Sequence, residues 1–286
     1  MLWSRYDLLN ERRFRFQHKE GWMKIGFIGA GKMAEALVSG MLAKGVCRPC
    51  DVVVSDRDPG RCNVMRDTYA VAGVEDNRDV VRSCDVVVLA VKPQDLEGVL
   101  ASVAGEAAGR LFVSIAAGKP LSFFESRLSG ARVVRVMPNL ACQVGQGMSV
   151  YCAGVAATAS DVEWVRQMLA SCGQVVAQEE CMFDVVTALS GSGPAFFAYV
   201  LKAFVEAAAG RGMASETALV LGLQTMRGTS VALQEGGQAP ESFIASVASK
   251  GGTTAAGLAV LDASDVHAVL QSTLAAAADR SAALRA

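Results

Sequence analysis

A glycine-rich turn is the first segment of the chain whose residue types could do chemistry. Residues 29–34, GAGKMA, follow the short apolar run Ile25–Ile28 and precede a helical pattern over residues 34–43. In such a turn the first glycine allows a tight bend and the second lets a pyrophosphate approach the backbone, while Ala34 takes the place of a third, packing glycine. The N–H groups at the helix start would attract the phosphates. The segment therefore predicts a dinucleotide site.

Two residues of opposite charge follow the next apolar run, residues 52–54. Asp56 is an acid where the adenosine ribose of a bound dinucleotide should lie, and Arg57 comes directly after it. An acid at this point accepts hydrogen bonds from the ribose hydroxyls of NAD, whereas an arginine accommodates the 2′-phosphate of NADP. Because both are present, residue chemistry leaves the choice between the two cofactors open.

Small residues follow two further apolar runs. Residues 90–93 (AVKP) end the run 86–91, and residues 114–118 (SIAAG) end the run 111–115. Ligands of doubly wound proteins bind at the carboxyl ends of such strands. Small side chains there would let a nicotinamide ring lie close to the backbone, although Lys92 also fits an ordinary surface lysine.

A second helix start is rich in glycine and hydroxyl groups. Residues 249–254, SKGGTT, precede a helical run over residues 255–261. Backbone N–H groups at a helix start can hold an anion, and the two glycines leave room for it. The segment predicts a site for a carboxylate, with a threonine hydroxyl left to contact a neighbouring ring nitrogen.

The elements that must position these segments form two domains. β-Rich runs at residues 25–28, 52–54, 86–91, 111–115 and 133–136 leave room for crossover helices, which predicts a doubly wound parallel sheet, a Rossmann domain over residues 23–180. From Phe183 onward good helix formers dominate, which predicts an all-helical domain over residues 181–286. Its first helix, after the SGSGP segment at residues 190–194, is apolar on most faces and should lie in a core and a subunit interface.

Composition excludes several classes of function. The 286 residues are 52% hydrophobic and 19% charged, and the net charge is −1, so no overall positive field exists to bind nucleic acid or an acidic membrane surface. The longest charge-free stretches are broken by Gly, Pro and polar residues, which argues against a membrane span. Residues 1–22 form an extension without the apolar core of a secretory signal, and we expect a cytoplasmic protein.

Cysteine and histidine usage predicts no metal site. The eight cysteines lack framework spacing, and only two histidines, His18 and His267, are present. Cys47 and Cys50 are the one close pair, and without a second pair we interpret them as two thiols in a loop.

The order and spacing of the motifs resemble those of the pyrroline-5-carboxylate reductase family. The shared segments are KIGFIGAG at 24–31, AVKP at 90–93, SIAAG at 114–118, VMPN at 136–139, LSGSGPA at 189–195 and GGTT at 251–254. The pair SGSGPA and GGTT is far more specific than a dinucleotide turn alone. The resemblance covers nearly all of residues 23–284.

The resemblance implies specific contacts by position. Those to the cofactor fall on Ile28, Gly29, Ala30, Gly31, Lys32, Met33, Asp56, Arg57, Asn77, Ala90, Val91, Lys92, Pro93, Ile115, Ala116 and Ala117. Those to the substrate fall on Glu180, Ser246, Gly251, Gly252, Thr253 and Thr254. NADPH is the implied cofactor, with NADH the alternative that Asp56 keeps open.

The resemblance also implies a reaction. It is the NAD(P)H-dependent reduction of 1-pyrroline-5-carboxylate to L-proline, the last step of proline biosynthesis, in a homodimer or a larger ring of dimers. Thr254 is the catalytic candidate, contacting the ring nitrogen while nicotinamide C4 delivers hydride to C5. Since Thr is a poor acid, it would orient the imine or relay a proton from water.

Two alternative functions belong to other classes of protein. One is a reductase of the β-hydroxyacid dehydrogenase type, whose catalytic lysine lies on a helix of the second domain, where Lys202 is the one early candidate. The other is a catalytically weak or regulatory dinucleotide-binding relative, suggested by departures from the family pattern at Leu140 and Lys250.

Overall fold

The computed structural model describes residues 17–18 and 21–285. Of the predicted extension over residues 1–22, it describes only two short antiparallel strands, Gln17–His18 and Gly21–Trp22; the rest lies outside the described residues. The described residues form two compact units, one with residues 17–18, 21–194 and 275–285, the other with residues 195–274. The predicted domain boundary at residue 180 stays a prediction.

An eight-stranded sheet lies at the centre of the first unit. Its strands are β1 (Ile25–Ile28), β2 (Val52–Ser55), β3 (Ala72–Val74), β4 (Val86–Leu89), β5 (Leu111–Ser114), β6 (Arg132–Met137), β7 (Gly147–Ala153) and β8 (Gly173–Ala177). They lie in the order β8-β7-β6-β5-β4-β1-β2-β3. The order reverses at β1, between β2 and β4, so the predicted doubly wound topology is confirmed.

Helices cover both faces of this sheet. They are α1 (Lys32–Ala43), α2 (Pro59–Tyr69), α3 (Asn77–Ser83), α4 (Leu96–Val103), α5 (Leu121–Glu125) and α6 (Ala159–Ala170). Buried side chains of α1, α2 and α6 form one apolar cluster, and those of α3, α4 and α5 form another. Successive residues of β4 alternate between the two clusters, with Val86 and Val88 in one and Val87 and Leu89 in the other. Burial on both faces explains why these strands read as unbroken apolar runs.

One strand pair departs from the predicted parallel arrangement. β6 and β7 are antiparallel, and every other neighbouring pair in the sheet is parallel. Residues 138–146 join the two strands through a 3₁₀ turn, Leu140–Val144. A parallel crossover needs roughly a dozen residues or more, so this short connection forces the chain to reverse. β3, β7 and β8 are not among the five strands predicted from the sequence.

The remaining helices follow the sheet. They are the short α7 (Phe183–Val186), a π-turn (Thr187–Gly191), and then α8 (Gly193–Ala209), α9 (Ser215–Gly236), α10 (Pro240–Val247), α11 (Thr253–Asp262) and α12 (Val266–Ala283). Pro194 lies in the first turn of α8, where its missing N–H has no helical partner to lose. The helical character predicted for the C-terminal region is confirmed.

The second unit exposes large apolar side chains in the single chain. Phe197, Tyr199, Phe204, Val220 and Val260 are each at least 60% exposed. Within residues 195–274 only Ala218 is buried. Monomeric soluble proteins seldom leave so much apolar surface in contact with water, so this surface indicates an interface.

One helical run of the described residues, Glu180–Ala209, is long and apolar enough to cross a membrane on length and composition. A helix buried in a protein interface passes the same test.

Candidate active site

Backbone hydrogen bonds to two neighbouring strands hold the turn after β1. The Gly29 N–H donates to the Ser55 carbonyl at 2.8 Å, and the Ala90 N–H donates to the Ile28 carbonyl at 2.8 Å. Gly29 has φ +100°, and a Cβ there would lie 2.7 Å from the carbonyl carbon and oxygen of Ala90. A side chain at this position would force the backbone to shift, so the turn requires glycine.

The second glycine leaves the start of α1 open. Gly31 is the N-cap residue, no side chain caps the helix, and a Cβ at Gly31 would meet no atom within 4 Å. Lys32 is exposed and Met33 is half-buried in the first helical turn, while Ala34 is fully buried against the sheet. Uncapped N–H groups beside an open surface suit a pyrophosphate.

Asp56 stabilises this turn through hydrogen bonds. Its Oδ2 accepts a hydrogen bond from the Ala30 N–H at 2.7 Å, and its Oδ1 accepts one from the Asp58 N–H at 2.9 Å. Both carboxylate oxygens are therefore engaged by backbone groups of the protein. Arg57 is 77% exposed and its Nη1 lies 3.3 Å from Asp95 Oδ1. An exposed ion pair of this kind is weak, so another anion can replace Asp95.

Arg61 supports the turn from α2. Its Nε donates to the Ala30 carbonyl at 2.8 Å, and its Nη2 donates to Glu35 Oε2 at 2.7 Å. The Tyr69 hydroxyl donates to the other oxygen of Glu35 at 3.4 Å. These residues could not be predicted from the sequence, because no local motif connects α2 with the glycine turn.

Asn77 lies at the start of α3, beside the end of β2. Its Oδ1 accepts a hydrogen bond from the buried Ser55 hydroxyl at 2.8 Å. The preceding residue, Asp76, caps the helix by accepting the Arg78 N–H at 2.8 Å. Hydrogen bonds from the Arg78 side chain and backbone lower the pKa of Asp76 to about 2. Asn77 is thus held in place at both the strand and the helix.

The predicted nicotinamide segments follow adjacent strands. Residues 90–93 come after β4 and residues 115–117 after β5, and the two strands pair with Leu89 opposite Ser114. The Ile115 N–H donates to the Leu89 carbonyl at 3.2 Å, and Ser114 Oγ accepts the Ala116 N–H at 3.3 Å. Ala116 is buried and Lys92 is exposed. The structure therefore brings these segments and the glycine turn to one edge of the sheet.

Glu180 compensates a buried positive charge. The Arg135 side chain is 3% exposed, and its Nη1 lies 2.9 Å from Glu180 Oε1. The same carboxylate oxygen accepts the Leu121 N–H at 2.6 Å, and the Arg135 guanidinium stacks over the Phe183 ring at 4.5 Å. Burial, and secondarily the Glu180 charge, raises the pKa of the neighbouring Cys152 to about 12. The predicted substrate role of Glu180 stays a prediction beside this structural one.

The other predicted substrate residues belong to the second unit. Helix α11 starts at Thr253, so Thr253 and Thr254 are its first two residues, and Gly252 is its N-cap without a side-chain cap. Thr253 is exposed and Thr254 is half-buried. The Ser246 hydroxyl donates within its own helix, to the Phe243 carbonyl at 2.7 Å. The uncapped start of α11 thus presents backbone N–H groups and two hydroxyls, as an anion site requires.

Cysteines and acids of the described residues form no metal cluster of three or more ligands. Cys47 is buried, which raises the pKa of its thiol to about 12, while Cys50 is exposed in the 3₁₀ turn Pro49–Asp51. Lys202, the alternative catalytic lysine, is 67% exposed and lies 3.6 Å from Glu206 one turn along α8. These contacts are those of an ordinary surface lysine.

The doubly wound sheet, the positive-φ glycine and the open helix start define a dinucleotide-binding protein of the Rossmann type. Residues 180–284 match the family model described as "Pyrroline-5-carboxylate reductase dimerisation", and residues 24–118 match one described as "NADP oxidoreductase coenzyme F420-dependent".

Several proteins similar over about 90% of this chain share a name. A "Pyrroline-5-carboxylate reductase" of Methanosarcina acetivorans is 39% identical over 90% of this chain and 96% of its own. One of Mycobacterium tuberculosis is 37% identical over 93% and 98%. A solved structure of that name from Coxiella burnetii has a TM-score of 0.88 at 30% identity, covering 92% and 99%. One from Plasmodium falciparum, with NADP bound, has a TM-score of 0.83 at 27% identity, covering 92% and 98%. The chain belongs to the pyrroline-5-carboxylate reductase family.

Proposed function

We propose that the protein is an NADPH-dependent reductase that converts 1-pyrroline-5-carboxylate to L-proline, the last step of proline biosynthesis. One observation carries this proposal: a chain that matches the family over about 90% of its length also keeps the open glycine turn at β1 and the uncapped GGTT helix start. These two features supply a dinucleotide site and a carboxylate site, which the reaction requires.

The residues at the β1 end fit the cofactor. Gly31 leaves room for a pyrophosphate beside uncapped N–H groups, and Asp56 holds the turn in that shape. Residues 90–93 and 115–117 would border the nicotinamide. When bound, NADPH supplies the hydride that reduces the C=N bond.

Arg57 favours NADPH over NADH. Its guanidinium is exposed and held by one long ion pair with Asp95. A 2′-phosphate carries more charge than a carboxylate and accepts hydrogen bonds from the planar guanidinium in a bidentate manner. Asp56 uses both oxygens on backbone N–H groups, so its carboxylate has less capacity to bind ribose hydroxyls. NADH therefore remains the weaker alternative.

The substrate carboxylate is held by the start of α11 in this proposal. The backbone of Gly251, Gly252 and Thr253 would bind the anion, and the Thr254 hydroxyl would contact the ring nitrogen. Protonation of that nitrogen makes the imine a much better hydride acceptor. Because a threonine is a poor acid, Thr254 orients the imine or relays a proton from water.

Substitution of Thr254 by alanine tests this role. We expect kcat to fall about tenfold or more, because a positioned polar contact in the transition state is lost, with little change in NADPH affinity. Thr273→Ala, which removes a hydroxyl bonded to the Val269 carbonyl in α12, is the matched control. An unchanged kcat for Thr254→Ala would refute the role.

The apolar surface of the helical unit supports a homodimer. Phe197, Tyr199 and Phe204 of α8 are exposed in the single chain, and the dimerisation family model covers this region. We assign the exposed α8 part of the apolar run Glu180–Ala209 to this subunit interface rather than to a membrane, and place the enzyme in the cytoplasm. Analytical ultracentrifugation measures the oligomeric state and whether dimers assemble into a ring. A monomer in solution would contradict the proposed homodimer.

A further inference from the structure

Ser190 carries a buried hydroxyl that makes no hydrogen bond. Among the described residues, its Oγ is the one buried side-chain nitrogen or oxygen atom without a partner. The residue lies in the π-turn Thr187–Gly191, between α7 and α8. An unpaired buried hydroxyl is unfavourable for folding, and π-turns are frequent at functional sites. The two observations together indicate a role outside folding.

Several other helical hydroxyls of this chain donate to a carbonyl of their own helix. Ser83 Oγ donates to the Asp79 carbonyl at 2.6 Å, and Thr187 Oγ1 donates to the carbonyl one turn earlier at 2.7 Å. For Ser190, the carbonyl three residues earlier is that of Thr187, which accepts the Ser192 N–H at 2.9 Å. That carbonyl thus accepts a backbone bond of the π-turn, and the Ser190 hydroxyl has no acceptor among the described residues.

The π-turn is fixed against the carboxyl end of β6. Asn139 Nδ2 donates to the Ser190 carbonyl at 3.2 Å, and Asn139 Oδ1 accepts the Met148 N–H at 3.0 Å. A Cβ at Gly191 would lie 2.5 Å from Met137 Cε, so the turn packs closely on the last residue of β6. Ser190 is therefore held at a defined position at this edge of the sheet.

The same edge carries the predicted nicotinamide segment. β6 pairs in parallel with β5, with Arg135 opposite Ser114, and it continues two residues beyond that pair to Met137. Residues 115–117 follow β5 at this level. The Ser190 turn thus adjoins the half of the cofactor site that would receive the nicotinamide ring, whereas Asp56 and Arg57 lie at the end of β2.

We propose that Ser190 is a cofactor-binding residue whose hydroxyl bonds the carboxamide of the nicotinamide ring. A carboxamide offers both a carbonyl acceptor and an N–H donor, so it satisfies a hydroxyl in either orientation. The inference rests on the proposed function, because it requires a nicotinamide cofactor at this edge. The Ser190 hydroxyl, which has no hydrogen bond in the helix, gains one when the cofactor binds. This hydrogen bond orients the nicotinamide ring.

Binding measurements on Ser190→Ala test the assignment without enzyme turnover. Dissociation constants for NADPH and for 2′-phospho-ADP-ribose, which lacks nicotinamide, are measured by calorimetry. We expect NADPH binding to weaken about three- to tenfold, the value of one hydrogen bond, and binding of the fragment to stay unchanged. The thermal midpoint of the cofactor-free protein should stay the same or rise, because the lost hydroxyl has no partner.

Two further variants complete the experiment. Ser190→Cys keeps the shape of the side chain with a slightly larger, weakly hydrogen-bonding group and should weaken NADPH binding in the same sense. Ser83→Ala, which removes a satisfied helical hydroxyl, should leave both dissociation constants unchanged. Unchanged NADPH affinity in Ser190→Ala, or an equal loss of affinity for both ligands, would overturn the assignment of Ser190 but not the proposed function. Absence of NADPH binding by the unmodified protein would overturn the proposed function as well.

Discussion

Two glycines of the same turn should respond to alanine in opposite ways. Gly29 has φ +100° and a Cβ there would lie 2.7 Å from the Ala90 backbone, whereas a Cβ at Gly31 meets nothing within 4 Å. Gly29→Ala combines a strained backbone conformation with an overlap that only a backbone shift relieves. We expect it to lower the free energy of unfolding by about 2–5 kcal/mol.

Gly31→Ala should affect binding rather than folding. Its φ of −72° is ordinary for alanine, so the free energy of unfolding should change by no more than about 1 kcal/mol, since a poorer N-cap is offset by a less flexible unfolded chain. The added methyl group would occupy the surface that a pyrophosphate approaches. We expect NADPH affinity to fall about tenfold to a hundredfold, which corresponds to about 1.4–2.8 kcal/mol.

Urea unfolding of the cofactor-free variants and calorimetric titration with NADPH separate the two effects. Gly98→Ala, at another open position in helix α4, is the control and should bind NADPH normally. Full NADPH affinity in Gly31→Ala would refute the assignment of this turn to the pyrophosphate. Full stability in Gly29→Ala would refute the close approach to Ala90.

Three further predictions concern charged groups. Glu180→Ala leaves the buried Arg135 guanidinium uncompensated and should lower the free energy of unfolding by about 2–4 kcal/mol. The loss is smaller than for a fully buried pair because Glu180 is partly exposed. An unchanged urea midpoint would contradict this prediction. Arg57→Leu should weaken NADPH binding about tenfold and leave NADH binding unchanged. An equal loss of affinity for NADPH and NADH would refute the role of Arg57 at the 2′-phosphate. Asp76 has its pKa lowered by Arg78 from 3.8 to about 2, so its contribution to stability is present above about pH 4 and is lost as the pH falls through 2. The difference in stability between the unmodified protein and Asp76→Asn should therefore vanish over that window, and a constant difference would contradict the linkage.

Sequence patterns predicted the parts of this protein that depend on local physics. The apolar run at β1, the glycine turn and the amphipathic start of α1 are contiguous, so their residue types alone specify a strand, a bend and a helix start. The helical character after Phe183 likewise follows from local propensity. The antiparallel β7 was missed because strand direction depends on the length of a connection between strands that were not both recognised.

Contacts between residues far apart in the sequence could not be predicted from local patterns. Glu180 reaches Arg135 across 45 positions of sequence, and Arg61 reaches the Ala30 carbonyl across 31. No periodicity or spacing connects such residues, so the structural roles of Arg135 and Arg61 appear only in the folded chain. The SGSGPA segment predicts a helix start, but its π-turn and the unpaired Ser190 hydroxyl appear only in the folded chain.

The most direct test of the account is turnover with its proposed substrate. Purified protein, NADPH and 1-pyrroline-5-carboxylate are combined, and loss of NADPH absorbance is followed alongside proline formation by mass spectrometry. We expect proline to appear in an amount equal to the NADPH consumed, and to form faster with NADPH than with NADH. NADPH binding without proline formation from either cofactor would contradict it.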